Sequence, residues 1–204
     1  MTERSHPVVQ AGGPVLRKRA AEVPRDFLAT SEFRELVHRM ISTMRAAPGV
    51  GLAAPQIGVG RRIIVLEDRE ELMARLTPAE RAERERTPFA VRTLVNPVLR
   101  TVPVDPTSGP ARVTFFEGCL SVEGYAAMVE RDREVEVSAL DERGEPVVWR
   151  ARGWPARILQ HEVDHLDGTL YVDRMHTRSF MTGAAAKERF AGKPVAEVRR
   201  ELGL

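Results

Sequence analysis

The chain has 204 residues, 43% of them hydrophobic, enough to bury a core in one domain. Its 31 basic and 29 acidic residues leave a net charge of +2, too small to argue for a specific nucleic-acid partner or a membrane surface. No apolar run approaches the ~20 residues of a membrane span. The amino terminus carries Glu3 and no apolar stretch, so it reads neither as a secretory signal nor as a transit sequence, and the expected location is the cytoplasm. The one cysteine, Cys119, cannot close an internal disulfide, in keeping with a reducing compartment.

In chain order, the first expected element is a helix over 31–47. Phe33, Leu36, Val37, Met40, Ile41 and Met44 recur at helical spacing, Glu32 and Glu35 suit the start of its dipole, and Pro48 with Gly49 stops it. Residues 62–66 read as a buried strand. The charged stretch 67–90 reads as a surface insertion with a solvated face, partly helical because Thr77-Pro78-Ala79-Glu80 has the form of a capping box. Residues 92–99, 111–116, 133–140 and 145–151 read as short strands, the third with clear alternation. Gly153-Trp154-Pro155 opens a second helix that runs to about 166 and ends near Gly168; residues 179–204 form a carboxyl-terminal extension. The expected architecture is α+β, one catalytic domain over 1–204, with antiparallel sheets packed around a central helix that carries the chemistry.

That helix carries His161-Glu162-Val163-Asp164-His165. Two histidines four apart share a helical face and can close on one metal ion, while Glu162 is near enough to act on a water there. His6 lies in an expected tail, and no further metal-ligand residue type stands at diagnostic sequence spacing from His38 or His176. HExxH is best known from zinc peptidases, but the position of a third histidine in one peptidase group is Tyr171 here, and Glu188, near the distance used by another, lacks supporting pattern. Cys119, in Glu117-Gly118-Cys119-Leu120-Ser121, is the better third ligand: a thiolate plus two imidazoles leaves one position open, as in catalytic sites. A third motif, residues 49–56 (GVGLAAPQ), permits close backbone approach at Gly49 and Gly51, and Gln56 offers an amide donor to a developing oxyanion.

Together the three motifs, GxGxAAxQ at 49–56, EGCxS at 117–121 and HExDH at 161–165, in this order, resemble the peptide deformylase family. The likeness covers roughly 10–180. VVWRARGWPARILQHEVDHLDG, the charged stretch and SVEGYAAMV look more like the mitochondrial-type branch, whereas Leu120 is the bacterial choice; a bacterial member of that branch is the expectation. The resemblance implies a hydrolase that removes the N-formyl group from the amino-terminal methionine of new polypeptides and releases formate. It implies one divalent metal, Fe(II) in the cell with zinc or nickel as alternatives, held by Cys119, His161 and His165. Glu162 would be the general base, with Gln56, the Leu120 N–H and Gly51 completing the catalytic set. It also implies nascent peptides as partners, met near the ribosome exit, and an Arg131–Asp164 brace behind the ligand helix. Trp154 and Ile158, seven and three residues before His161 on its face, are candidates for the methionine pocket, equally compatible with core packing. Val50 joins them by resemblance. Two other readings remain open: a zinc endopeptidase and a non-catalytic relative.

Overall fold

The computed structural model describes residues 7–47, 49–74, 76–103, 105, 107 and 109–204; His6 and the Pro48 stop signal lie outside the described residues. The elements run α1 (Ser31–Ala46), β1 (Gly51–Ala53), β2 (Ile63–Asp68), α2 (Glu70–Met73), α3 (Pro78–Glu83), β3 (Phe89–Thr101), β4 (Arg112–Cys119), β5 (Val122–Asp132), β6 (Glu134–Leu140), β7 (Pro146–Arg152), α4 (Trp154–Leu166), β8 (Met181–Thr182), α5 (Gly183–Phe190) and α6 (Val195–Leu202). One antiparallel sheet has the order β1-β2-β3-β6-β7 and the other β4-β5-β8.

The two expected helices sit on opposite faces of the larger sheet. β2 shows why: Ile63 and Val65 point toward α1 and join Phe33, Met40 and Met44, while Ile64 and Leu66 point toward α4 and join Ile158, Leu159 and Val163. α1 starts at Thr30, whose hydroxyl accepts from the Phe33 N–H at 3.1 Å. Its expected stripe is buried apart from Ile41, which is partly covered. α4 is wedged between the sheets, so most of its residues are buried, including Arg157, Glu162 and Asp164. Gly153 caps its start at φ 66°, with Pro155 in the first turn. Gly168 follows its end at φ 77°, where a Cβ would lie 2.9 Å from the Arg17 carbonyl carbon.

β3 tolerates Pro97 because the ladder to β6 shifts register between Val95 and Val98. Asn96 takes φ 51° there, and its side chain bonds both the N–H and the C=O of Val23, which anchors the amino-terminal segment to the sheet.

Two expectations need correction. β5, residues 122–132, is a long strand that the sequence reading did not assign. Gly124, Ala126 and Ala127 carry weak β-propensity, and pairing with β4 from Ala126 to Asp132 outweighs that. The charged stretch is not simply a solvated face. Asp68 is fully buried and accepts two hydrogen bonds from Arg86, each at 2.8 Å; Glu67 pairs with Arg45, and Glu85 binds both Arg133 and Arg152. The stretch is therefore pinned at both ends to the sheet and to the start of α4. Removing one member of a buried pair leaves an uncompensated charge, so Arg86→Ala should cost about 3–5 kcal/mol of stability, read as a lower thermal midpoint. A midpoint unchanged from the parent would mean that solvent already screens Asp68. The carboxyl-terminal segment is packed as well: Phe190 of α5 and Val198 of α6 are buried with Met128, and Phe116 stacks on Phe190.

Candidate active site

The site forms where β4, α4 and the 49–56 loop meet. β4 ends at Cys119, and α4 presents His161 and His165 one turn apart. One nitrogen of each histidine and the Cys119 Sγ lie within 4.8 Å of one another, with 3.2 Å between Sγ and His165 Nε2. His161 uses Nδ1 toward Glu117 Oε2 at 2.9 Å, which leaves Nε2 for a ligand.

Glu117 anchors this arrangement, and sequence reasoning gave it no role beyond its motif. Its carboxylate is buried and bound to Arg131 by both oxygens at 3.0 Å, to Arg157 Nη1 at 2.6 Å and to His161. Burial alone would raise its pKa, but the hydrogen bond from His161 and the charge of Arg131 hold it far below the usual carboxylate range. Arg131 reaches Asp164 Oδ2 at 2.5 Å, and Arg174 closes on the other side of Asp164 at 2.7 and 2.8 Å. The expected Arg131–Asp164 brace is thus present, and it continues through Glu117 to His161. Arg157, one turn before His161 on the same helical face, was also overlooked; that spacing was the available signal.

Glu162 is buried, with Oε2 lacking any partner. Desolvation raises its pKa to about 7, ahead of the opposing charge of His161. Gly51 makes room for it: a Cβ at residue 51 would lie 2.3 Å from Glu162 Oε1. Burial opposes charge on His161, yet its hydrogen bonds to Cys119 and Glu117 prevail and hold its pKa well above the ordinary value. His165 is driven well below by burial and by His161.

Gln56 is fixed by its own loop. Its Oε1 accepts from the Ala53 N–H at 2.8 Å, so the amide nitrogen faces Cys119 Sγ at 3.6 Å and Ser121 Oγ at 3.3 Å. An amino-terminal strap holds both loops: Val9 N–H donates to Gln56 O at 2.8 Å, Ala11 N–H to Ser121 O at 2.7 Å, and Gln10 Nε2 to Leu120 O at 2.9 Å.

Gln56, Leu120, Gly51, Glu162, Cys119 and His161 line one cavity of about 450 Å³, together with Val50, Trp154 and Ile158. Every expected site residue is gathered here except His165, which sits behind His161 and Cys119. Of the peptidase alternatives, Glu188 is exposed on α5, and the position of a third histidine is taken by Tyr171, whose ring stacks on that of His161 at 6.3 Å between centroids. A soft thiol, two imidazoles and an unpartnered buried carboxyl oxygen suit a divalent cation with one open position.

The family profile described as polypeptide deformylase matches residues 5–180. A tomato protein, "Peptide deformylase 1A, chloroplastic", is 46% identical over 175 residues, 86% of this chain and 61% of its own length, so the chain spans less than two thirds of that relative. "Peptide deformylase 1" of Streptomyces coelicolor is 50% identical over 182 residues, 89% of this chain and 78% of its own. A crystal structure of a class I type b peptide deformylase from Acinetobacter baumannii, bound to Met-Ala-Ser, superposes with a TM-score of 0.73 at 33% identity, covering 85% of this chain and all of that one.

Proposed function

The chain belongs to the peptide deformylase family, and from that premise we propose that it hydrolyses the N-formyl group from the amino-terminal methionine of newly made polypeptides, releasing formate. The observation that carries this reading is the meeting of three soft and borderline donors with Glu162 and Gln56 at one end of an apolar cavity. The family is metal-dependent. Cys119, His161 and His165 would hold one divalent ion, Fe(II) in the cell, with zinc or nickel acceptable to the same donors. When bound, the ion supplies Lewis acidity toward the formyl oxygen and toward an attacking water.

The chain's own residues do the rest. Glu162 accepts the proton of the attacking water at Oε2, the oxygen with no other partner, and returns it to the departing amine nitrogen. Its raised pKa suits a group that must both take and give a proton, and the charge of a cation nearby would draw that pKa down again. Gln56 Nε2, preset by the bond from Ala53, and the Leu120 N–H steady the oxyanion. Glu117 keeps the proton of His161 on Nδ1, so Nε2 offers a lone pair. Val50, Trp154 and Ile158 enclose the methionine side chain and exclude water from it. The Met-Ala-Ser peptide in the Acinetobacter structure supports a methionine-first ligand.

No described helix is long and apolar enough to cross a membrane. We place the enzyme in the cytoplasm, near the ribosome exit, where formylated termini emerge, and we read 1–204 as one catalytic domain.

The test is formate release from formyl-Met-Ala-Ser by Fe(II)-loaded protein prepared without oxygen. Absence of formate from metal-replete protein would overturn the proposal, and cleavage of internal peptide bonds would favour the endopeptidase reading. Gly51 gives a finer check. Gly51→Ala should push the end of the Glu162 side chain aside without disturbing the backbone, lowering kcat by about 10²-fold at nearly unchanged thermal midpoint. Full kcat in that variant would show that the seat of the carboxylate does not matter.

A further inference from the structure

A second cavity, of about 460 Å³, lies between α3, β4 and the first turns of α6, and four of its lining residues are arginines: Arg84, Arg112, Arg133 and Arg199. Two of them are already occupied. Arg112 pairs with Glu130 at 2.8 Å, and Arg133 pairs with Glu85 at 2.7 Å. Of the two acids of the cavity, Glu85 is neutralised by Arg133 and Arg152, while Glu83 is exposed, keeps its charge and accepts from the Val195 N–H. Arg84 and Arg199 have no ion pair or side-chain hydrogen bond among the described residues. Arg84 Nε and the Oγ1 of Thr114, a residue only 3% exposed, are buried without partners. The carboxylates of Glu80 and Glu83 act on Arg84 only from a distance, without a direct bond, and burial prevails, drawing Arg84 below the ordinary arginine value.

We propose that this cavity is a binding site for a phosphate group, free or carried on a small organic molecule. A dianion matches the two guanidiniums left without partners, and the planar, forked donors of arginine match tetrahedral phosphate oxygens better than a single carboxylate needs. Phe115 and Val113 give the cavity an apolar wall, and its volume exceeds that of a bare ion, so an organic carrier has room. The site stands apart from the metal donors but shares a wall with the active-site cavity. Arg84 lies over the Trp154 ring at 5.6 Å, Phe115 meets that ring edge-on at 6.2 Å, and Trp154 lines the catalytic cavity on its other side. An anion drawn to Arg84 therefore changes the surroundings of Trp154.

That contact supplies a readout independent of activity. The chain has two tryptophans, so metal-loaded Trp149→Phe protein reports on Trp154 alone. Titration with inorganic phosphate at constant ionic strength should give a saturable change in Trp154 emission and a matching heat of binding, with chloride giving neither. Arg199→Gln in the same background should weaken the apparent affinity roughly tenfold or more, the scale of a lost charge-assisted hydrogen bond, and Arg84→Gln should do likewise. Should Arg84→Gln fail to fold, Arg199, partly exposed on α6, decides alone. Tighter binding of phenyl phosphate than of inorganic phosphate would assign the site to an ester, and equal binding to the free ion. A change that never saturates, or phosphate affinity unaltered in Arg199→Gln, as binding at the metal donors would give, overturns the proposal.

Discussion

Glu162→Gln should lower turnover by roughly two to four orders of magnitude while leaving metal content and fold intact. Glutamine keeps the size of the side chain and so keeps its seat against Gly51, but it cannot accept the proton of an attacking water. The fold should not suffer. Glu162 is buried, and its charged form is disfavoured by desolvation, so a neutral amide removes a penalty rather than a support. Formate release and metal analysis on the same preparation separate the two effects. Near-parent turnover in metal-replete Glu162→Gln would remove this residue from proton transfer and leave the positions of Gly51 and Gln56 without a purpose.

Cys119 variants should separate by ligand chemistry rather than by size. Serine offers a hard, poorly ionised oxygen, so Cys119→Ser should lose most of its metal and most of its activity; aspartate binds as an anion, so Cys119→Asp should keep more metal than serine while still turning over poorly. If Cys119 were only a small core residue beside Val122 and Tyr171, the order would reverse. Serine would then be mild, aspartate would be severe for folding, and metal content would not change in what folds. The proposed iron form should also decay in air, because a ferrous thiolate centre is readily oxidised and the freed thiol follows, whereas a nickel-loaded sample should persist. Stoichiometric metal with full turnover in Cys119→Ser would exclude the sulfur as a ligand.

What could be read from the sequence and what could not divide along a physical line. α1 was legible because an amphipathic period of 3.6 survives in any context that buries one face, α4 because Gly153-Trp154-Pro155 opens it and Gly168 ends it, and two of the candidate metal donors because they stand four apart on it. The donor cluster became a set of three only through Cys119, which comes from a strand end 42 residues before His161, and no periodicity links the two. Glu117 and Arg157 went unread for the same reason, and Arg131 was expected only by resemblance and only toward Asp164. A buried carboxylate shared by two arginines and a histidine is a tertiary fact, and each member alone looks like a surface charge. β5 was hidden by composition, and the buried ends of the charged stretch by their polarity: Asp68 is interior only because Arg86 goes in with it. The methionine-pocket candidates were readable as a helical face, and they both line the cavity and pack in or against the core, so the two readings of them stand together.

The amino-terminal strap ties the finished site to the order in which the chain is made. Val9, Gln10 and Ala11 are synthesised before every group that they bind: the carbonyl that Gln10 holds belongs to a residue 110 positions later, and His165 comes later still. Until β4 has been synthesised, most of what this segment binds does not exist. Its donors stay with water, and the loop that presents Gln56 is held on one side only. The entropy of closing so long a loop grows only slowly with its length, so the delay adds little to the thermodynamic cost, but contacts of such high sequence separation form late in folding. A chain that stops before β4 lacks most of the partners of this strap, and one that stops before α4 lacks His161 and His165 as well.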